Sequence, residues 1–309
     1  MQRHQQTPAL ESGRRRLLDP ALLTALADLE LVARVTVDGT VSGLHRSPFH
    51  GYSAEFSQYR HYRPGDDLKY VDWKLLARTD RVYTKQFRET TNLLAQIAVD
   101  ASASMAYHGA NGVSKVDYAR ILAAALAHLV TAQGDAAGLA VYGDGIRHYI
   151  PSRGGQVHLR RILVALDAVE AEGGTSAAAS LARAIDLLKR RGLLIVISDL
   201  YDDEGRVDEE LRRAVRIGHD VALFHVLTRE EVEFPFAGDV ELDDLETGRR
   251  VMAGPASAAE YRRAITAFLE GWRTRSAAAG IDYTHVTTET PLDAALRPYL
   301  LRRAREAAR

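Results

Sequence analysis

A chain of 309 residues, 46% apolar and 26% charged, has the material for one large core or for a large and a small domain. Its formal net charge of -1 supplies no global field towards nucleic acid or an anionic membrane. The absence of cysteine excludes disulfides, thiolate metal sites, iron–sulfur clusters and a cysteine nucleophile, and fits a reducing, cytoplasmic setting.

Residues 1–16 carry a basic cluster with no signal-type apolar region behind it, and are expected to form a disordered tail. From Pro20 to Val35, Leu22, Leu23, Leu26, Leu29 and Val32 recur at helical spacing behind a candidate cap, Asp19. This predicts an amphipathic helix, and its polar face is not basic enough for a membrane surface. Between Gly39 and Phe87, glycines and prolines interrupt any period while aromatic and charged residues alternate thickly, so the segment reads as irregular. Tyr59, Tyr62, Tyr70 and Trp73 are its candidate apolar anchors; the same aromatics would also suit a binding surface. Residues 17–90 are thus expected to form an N-terminal extension, and residues 91–309 the main domain.

Leu93 to Val99 is an apolar run suited to a buried strand, and it breaks into Asp100, Ser102 and Ser104. In an open α/β sheet, ligands gather beyond the carboxyl ends of the strands, so three oxygen-bearing side chains at alternate positions are placed to share one. A polar turn whose side chains bond their own backbone would show the same residues. A helix follows over 116–131 and ends at Gly134. Ala137 to Tyr142 and Ile146 to Ile150 read as antiparallel strands joined by Gly143-Asp144-Gly145. Val157 to Val169 is helical, and GGTS at 173–176 opens a further helix to about Arg190 with Thr175 or Ser176 as its cap.

The run LLIVIS, Leu193 to Ser198, is the most strongly buried-looking strand and ends in Asp199, with Asp202 and Asp203 beside it. A helix over 207–216, a strand over 221–227, short strands near 240–242 and 250–252, a helix over 256–279 and a strand over 283–286 complete the pattern. No segment is long and apolar enough to span a membrane; the longest purely apolar runs, such as Ile121 to Ala127, fall well short. Helices alternating with apolar strands predict an α/β fold: a doubly wound, mainly parallel sheet with an irregular N-terminal extension.

In such a sheet Asp100, Ser102, Ser104, Thr175 and Asp199 could meet at one edge. Carboxylates and hydroxyls are hard oxygen ligands, suited to Mg2+ or Mn2+ rather than zinc or copper. The set resembles the metal-ion-dependent adhesion site of von Willebrand factor A-type domains, with those five residues at its five positions and the likeness running from about Leu93 to Val286. Upstream, Arg60-x-Tyr62-x-x-Gly65-Asp66-Asp67, Val71-Asp72-Trp73 and Ala77-Arg78 are similar to the signature of the bacterial family catalogued as domain of unknown function 58. The resemblance implies a von Willebrand factor A-like domain that binds a partner protein through an Asp or Glu on the ion. It also implies an assembly with a MoxR-type AAA+ ATPase in maturation or activation of other proteins. This chain departs from many family members in lacking two membrane spans ahead of the signature.

The rival is a magnesium-dependent phosphohydrolase with Asp100 as nucleophile and Asp199 holding the ion. Such enzymes want a carboxylate two residues on as acid and base, and Ser102 cannot serve at neutral pH. No nucleotide-binding glycine motif or serine-hydrolase elbow is present, and histidines such as His108, His128 and His225 are scattered without a motif. The chain is therefore expected to be a binding module and not an enzyme.

Overall fold

The computed structural model describes residues 54–63, 68–89, 93–174, 176–201, 206–243, 245 and 249–307. The expected tail and the expected helix near residues 20–35 lie outside the described residues. Two compact units emerge, one drawn from residues 43–92 and one containing everything from Leu93 onward.

In the first unit, β1 (Ala54–His61) pairs antiparallel with β2 (Tyr83–Glu89). Neither strand contains a glycine or a proline, so every residue of each can join the ladder. Between them runs a short helix, α1 (Trp73–Thr79), capped by Asp72. The Asp72 carboxylate accepts the Lys74 and Leu75 amides at 3.0 Å and the Tyr59 hydroxyl at 2.9 Å. Asp72 therefore satisfies helix-end donors that would otherwise lack partners. Trp73, expected as an apolar anchor, is instead 60% exposed, because it opens a helix that buries none of its residues. Gly65, Asp66 and Asp67 lie outside the described residues, while Arg60 and Tyr62 are half-buried and Arg78 is exposed.

The second unit is built on a six-stranded sheet of order β10-β7-β6-β3-β4-β5. Its strands are β3 (Leu94–Asp100), β4 (Ala136–Tyr142), β5 (Ile146–Arg153), β6 (Leu193–Ser198), β7 (Asp220–Leu227) and β10 (Asp282–Thr287). All neighbours run parallel except the edge strand β5, which folds back on β4 through the expected hairpin. A separate antiparallel pair, β8 (Val240–Asp243) and β9 (Arg250–Ala253), forms a two-stranded sheet of its own.

Helices cover both faces. Ala95, Ile97 and Val99 of β3 pack into one core with α2 (Lys115–Ala132) and α3 (Gln156–Asp167). Ala98 packs into the other with α4 (Ala177–Asp186), α5 (Arg206–Arg216) and Trp272 of α7 (Pro255–Ala279). A central strand buried on both sides has no face to give to water, which is why β3 and β6 read as near-continuous apolar runs. The protein is thus a mixed α/β fold with a mostly parallel sheet.

One helix end and two whole helices differ from expectation. The helix opened by GGTS stops at Asp186 rather than Arg190, because the chain must turn to enter β6. At that entry a Cβ on Gly192 would collide with the Leu94 carbonyl oxygen, so the backbone passes too close for any side chain. Two helices absent from the sequence reading are α6 (Arg229–Glu233) and the C-terminal α8 (Leu292–Ala307). The latter sends Ala295, Leu296 and Tyr299 into the first core although Pro298 lies within it. Among the described residues, no helix is long and apolar enough to cross a membrane.

Candidate functional site

Val99 of β3 pairs with Ile197 of β6, so the two strands end level and deliver Asp100 and the Ser198-Asp199 step side by side. Both carboxylates are only 2% exposed. One Asp100 oxygen, Oδ1, accepts the Ser102 amide at 2.9 Å; the other, Oδ2, accepts the Ser198 hydroxyl at 2.7 Å. After Asp100 the chain tightens into a short 3-10 turn over Ala103–Ala106, which brings the Ser102 and Ser104 hydroxyls within 3.1 Å of each other. On the neighbouring strand, Leu200 adopts a left-handed φ of 58° as the chain leaves Asp199. A branched side chain there is strained, and such strain concentrates at functional sites.

The GGTS loop is tied to the same edge. Ala103 donates its amide to the Gly173 carbonyl at 3.0 Å, and Glu172 donates to the Ala101 carbonyl at 3.0 Å. Arg147 clamps the loop further, its guanidinium donating to the carbonyls of Ala101 at 3.1 Å, Glu170 at 3.3 Å and Glu172 at 2.6 Å. Thr175 itself lies outside the described residues, as do Asp202 and Asp203. Ser176 occupies the cap position of α4 but makes no side-chain capping bond.

A buried lysine completes the arrangement. Lys115 opens α2 and is 1% exposed, with its Nζ 2.7 Å from Asp199 Oδ2 and 2.7 Å from Glu231 Oε1. Its ammonium also lies 4.9 Å from the centroid of the Tyr201 ring. Glu231 is fixed in turn by α6: its other oxygen accepts the Thr228 amide at 2.7 Å and the Thr228 hydroxyl at 3.0 Å in a capping box.

The two aspartates consequently differ. Burial pushes Asp100 up to about 6, with repulsion from Asp199 adding to it and the bonds from Ser102 and Ser198 only partly opposing it. Burial also acts to raise Asp199, but the Lys115 ammonium outweighs it and holds that carboxyl below its usual range. Lys115 is desolvated, yet the two carboxylates keep it charged and raise it above its usual value. Among the described residues Asp100 has no ion pair, and no three His, Cys, Asp or Glu side chains converge as a metal-holding group. Any cation at this edge would draw on hydroxyls as well as carboxylates.

A pH dependence follows from Asp100. Its folded value lies above its unfolded one, so the native state binds the proton more tightly and stability falls as pH rises from about 4 through about 6. In chelator, urea denaturation across that window should show the decline for the wild type and a flatter profile for Asp100→Asn. Equal slopes in the two proteins would refute the assignment.

As site residues, Ser198, Lys115, Glu231 and Arg147 are absent from the sequence reading. Thr228-x-x-Glu231 is a legible capping box, and a lysine at the positive end of a mostly apolar helix hints at a distant counter-charge. His225 is a fully buried core residue bonded to the Tyr283 hydroxyl at 2.8 Å, and burial pushes it down to about 3, so it stays neutral.

A family model described as protein of unknown function DUF58 matches residues 58–273. Uncharacterized proteins of Mycobacterium tuberculosis and Mycobacterium bovis are each 32% identical over 255 residues, covering 81% of this chain and 79% of theirs. Among solved structures, the conserved hypothetical protein BatB from Bacteroides thetaiotaomicron aligns with 70% of this chain and 100% of its own, at 18% identity and a TM-score of 0.49.

Proposed function

The chain belongs to the DUF58 family, and from that premise we propose that it is a metal-dependent protein-interaction module whose ion is held at the carboxyl edge of β3 and β6. The observation that carries this reading is Asp100. A fully desolvated carboxylate with hydroxyl neighbours and no ion pair among the described residues is costly as an anion unless a cation joins it. Asp100, Ser102 and Ser104 would hold that ion, with Thr175 and Asp199 completing the set by likeness to the adhesion site of von Willebrand factor A-type domains. The donors are all hard oxygens, which suits Mg2+ or Mn2+. An ion bound there supplies an open position for a carboxylate, so the partner protein presents an Asp or Glu.

By the family resemblance alone, the partner assembly contains a MoxR-type AAA+ ATPase acting in protein maturation or activation. The phosphohydrolase reading has less support, because the residue two positions on is Ser102, which cannot act as acid and base at neutral pH. The test is thermal unfolding in excess Mg2+, in Mn2+ and in chelator, for the wild type and for Asp100→Asn combined with Ser102→Ala. A dication at about a hundred times its dissociation constant stabilises the native state by about 2.7 kcal/mol, several degrees in a chain of this size. A shift in the wild type that disappears in the double variant supports the site; no shift in either overturns it. Phosphate release abolished by Asp100→Asn would instead restore the enzyme reading.

A further inference from the structure

We propose that Lys115 sets both the strength and the partner charge of the cation site: by neutralising Asp199 it weakens the hold on a dication and lets an anionic group approach. This deepens the proposed function and rests on its reading of the edge as a cation site. The argument starts from where the lysine is. Lys115 is the first residue of α2, at the helix end where backbone amides already present partial positive charge, so a cation there is unfavourable by itself. It is nonetheless almost wholly buried, and a buried ammonium persists only when paired.

Its two partners come from separate elements, Asp199 following β6 and Glu231 within α6, each at 2.7 Å. Among the described residues, Lys115 thus links Asp199, which lies beside Asp100, to the more distant Glu231: three carboxylates and one ammonium, of which only Asp100 and Asp199 stand as ligands of the ion. A dication brings this group to neutrality, and a carboxylate from a partner then meets no net repulsion. Without the ammonium the same group with its dication stays anionic. The ion would be held harder and an acidic partner repelled.

The consequence is a pair of changes of opposite sign. Lys115→Met removes a positive charge that lies 2.7 Å from Asp199, a proposed ligand, and should tighten Mg2+ binding about tenfold or more. Glu231→Gln leaves the ammonium with Asp199 alone and should weaken Mg2+ binding by about tenfold. Glutamine still completes the capping box with Thr228, so this variant keeps α6. A merely structural role for Lys115 would weaken binding in both variants, since both disturb the same buried pair.

Isothermal titration calorimetry with MgCl2 at fixed ionic strength decides it on the full chain of the wild type and the two variants. Tighter binding by Lys115→Met with weaker binding by Glu231→Gln supports the proposal. Affinities unchanged, or weakened in both, overturn it while leaving the cation site standing. If no protein binds Mg2+, the cation reading fails and this inference fails with it. If Lys115→Met binds and the wild type does not, the ammonium is itself the resident cation, which upholds the control by Lys115 and overturns metal binding by the native site. Should Lys115→Met not fold, Lys115→Gln takes its place, keeping a hydrogen-bond donor between Asp199 and Glu231 without the charge: tighter Mg2+ binding supports the proposal, and unchanged or weaker binding overturns it.

Discussion

Replacing Lys115 by methionine should cost the protein about 3–5 kcal/mol of stability in chelator, one of the two largest single-residue effects expected in this fold. Methionine matches the length of the lysine stem, so packing changes little. What remains is Asp199, 2% exposed, and Glu231, 14% exposed, with their shared counter-charge gone. Neither can recover water without opening the edge where β6 ends. The same reasoning predicts a partial rescue. With Asp199→Asn added, the site loses the stranded anion as well, so the double variant should be more stable than the sum of the two single losses implies. A coupling of about 0.5–3 kcal/mol is the range for residues in direct contact. Urea denaturation of the four proteins measures it. A loss below about 1 kcal/mol for Lys115→Met, or strict additivity, would show that the pair is not the buried electrostatic unit its geometry describes.

Phe224→Ala should be comparably severe, about 3–5 kcal/mol. Phe224 lies on β7 between Ile197 of β6 and Thr284 of β10, and is 1% exposed. Its ring meets that of Tyr299 edge to face, with centroids 5.7 Å apart, so it is one of the contacts that dock α8 on the sheet. Truncation leaves a cavity under that helix. Hydrogen exchange should then rise over residues 292–307 before it rises in β3 or β6. A loss under about 1.5 kcal/mol, with exchange in α8 unchanged, would mean that the helix is held elsewhere.

The two predictions differ in how far their residues could be read from the chain. β3 and β6 were legible because a parallel strand buried on both faces must be apolar throughout, and a run such as LLIVIS has few other uses. The polar step after β3 was legible because Asp100, Ser102 and Ser104 are contiguous and alternate. The helix Leu292–Ala307 was not, since arginines and Pro298 blur its period and only Tyr299, Leu296 and Ala295 meeting β7 and its neighbours make it part of the core. Trp73 misled in the other direction: aromatic density suggested an anchor, but a two-turn helix with no buried residue leaves the ring 60% exposed.

Contiguous residues by themselves determined the class of fold, the strands, most helix starts and the two carboxylates at strand ends, because period, capping and burial are local properties of sequence. Only the tertiary structure decided which aspartate is neutralised. Lys115 is 84 residues from Asp199 and 116 from Glu231, and no local pattern joins them. Their pairing needs β6 beside β3 and α6 brought to the start of α2. Coulombic neutralisation depends on distance through space in a dry interior, and separation along the chain does not enter it.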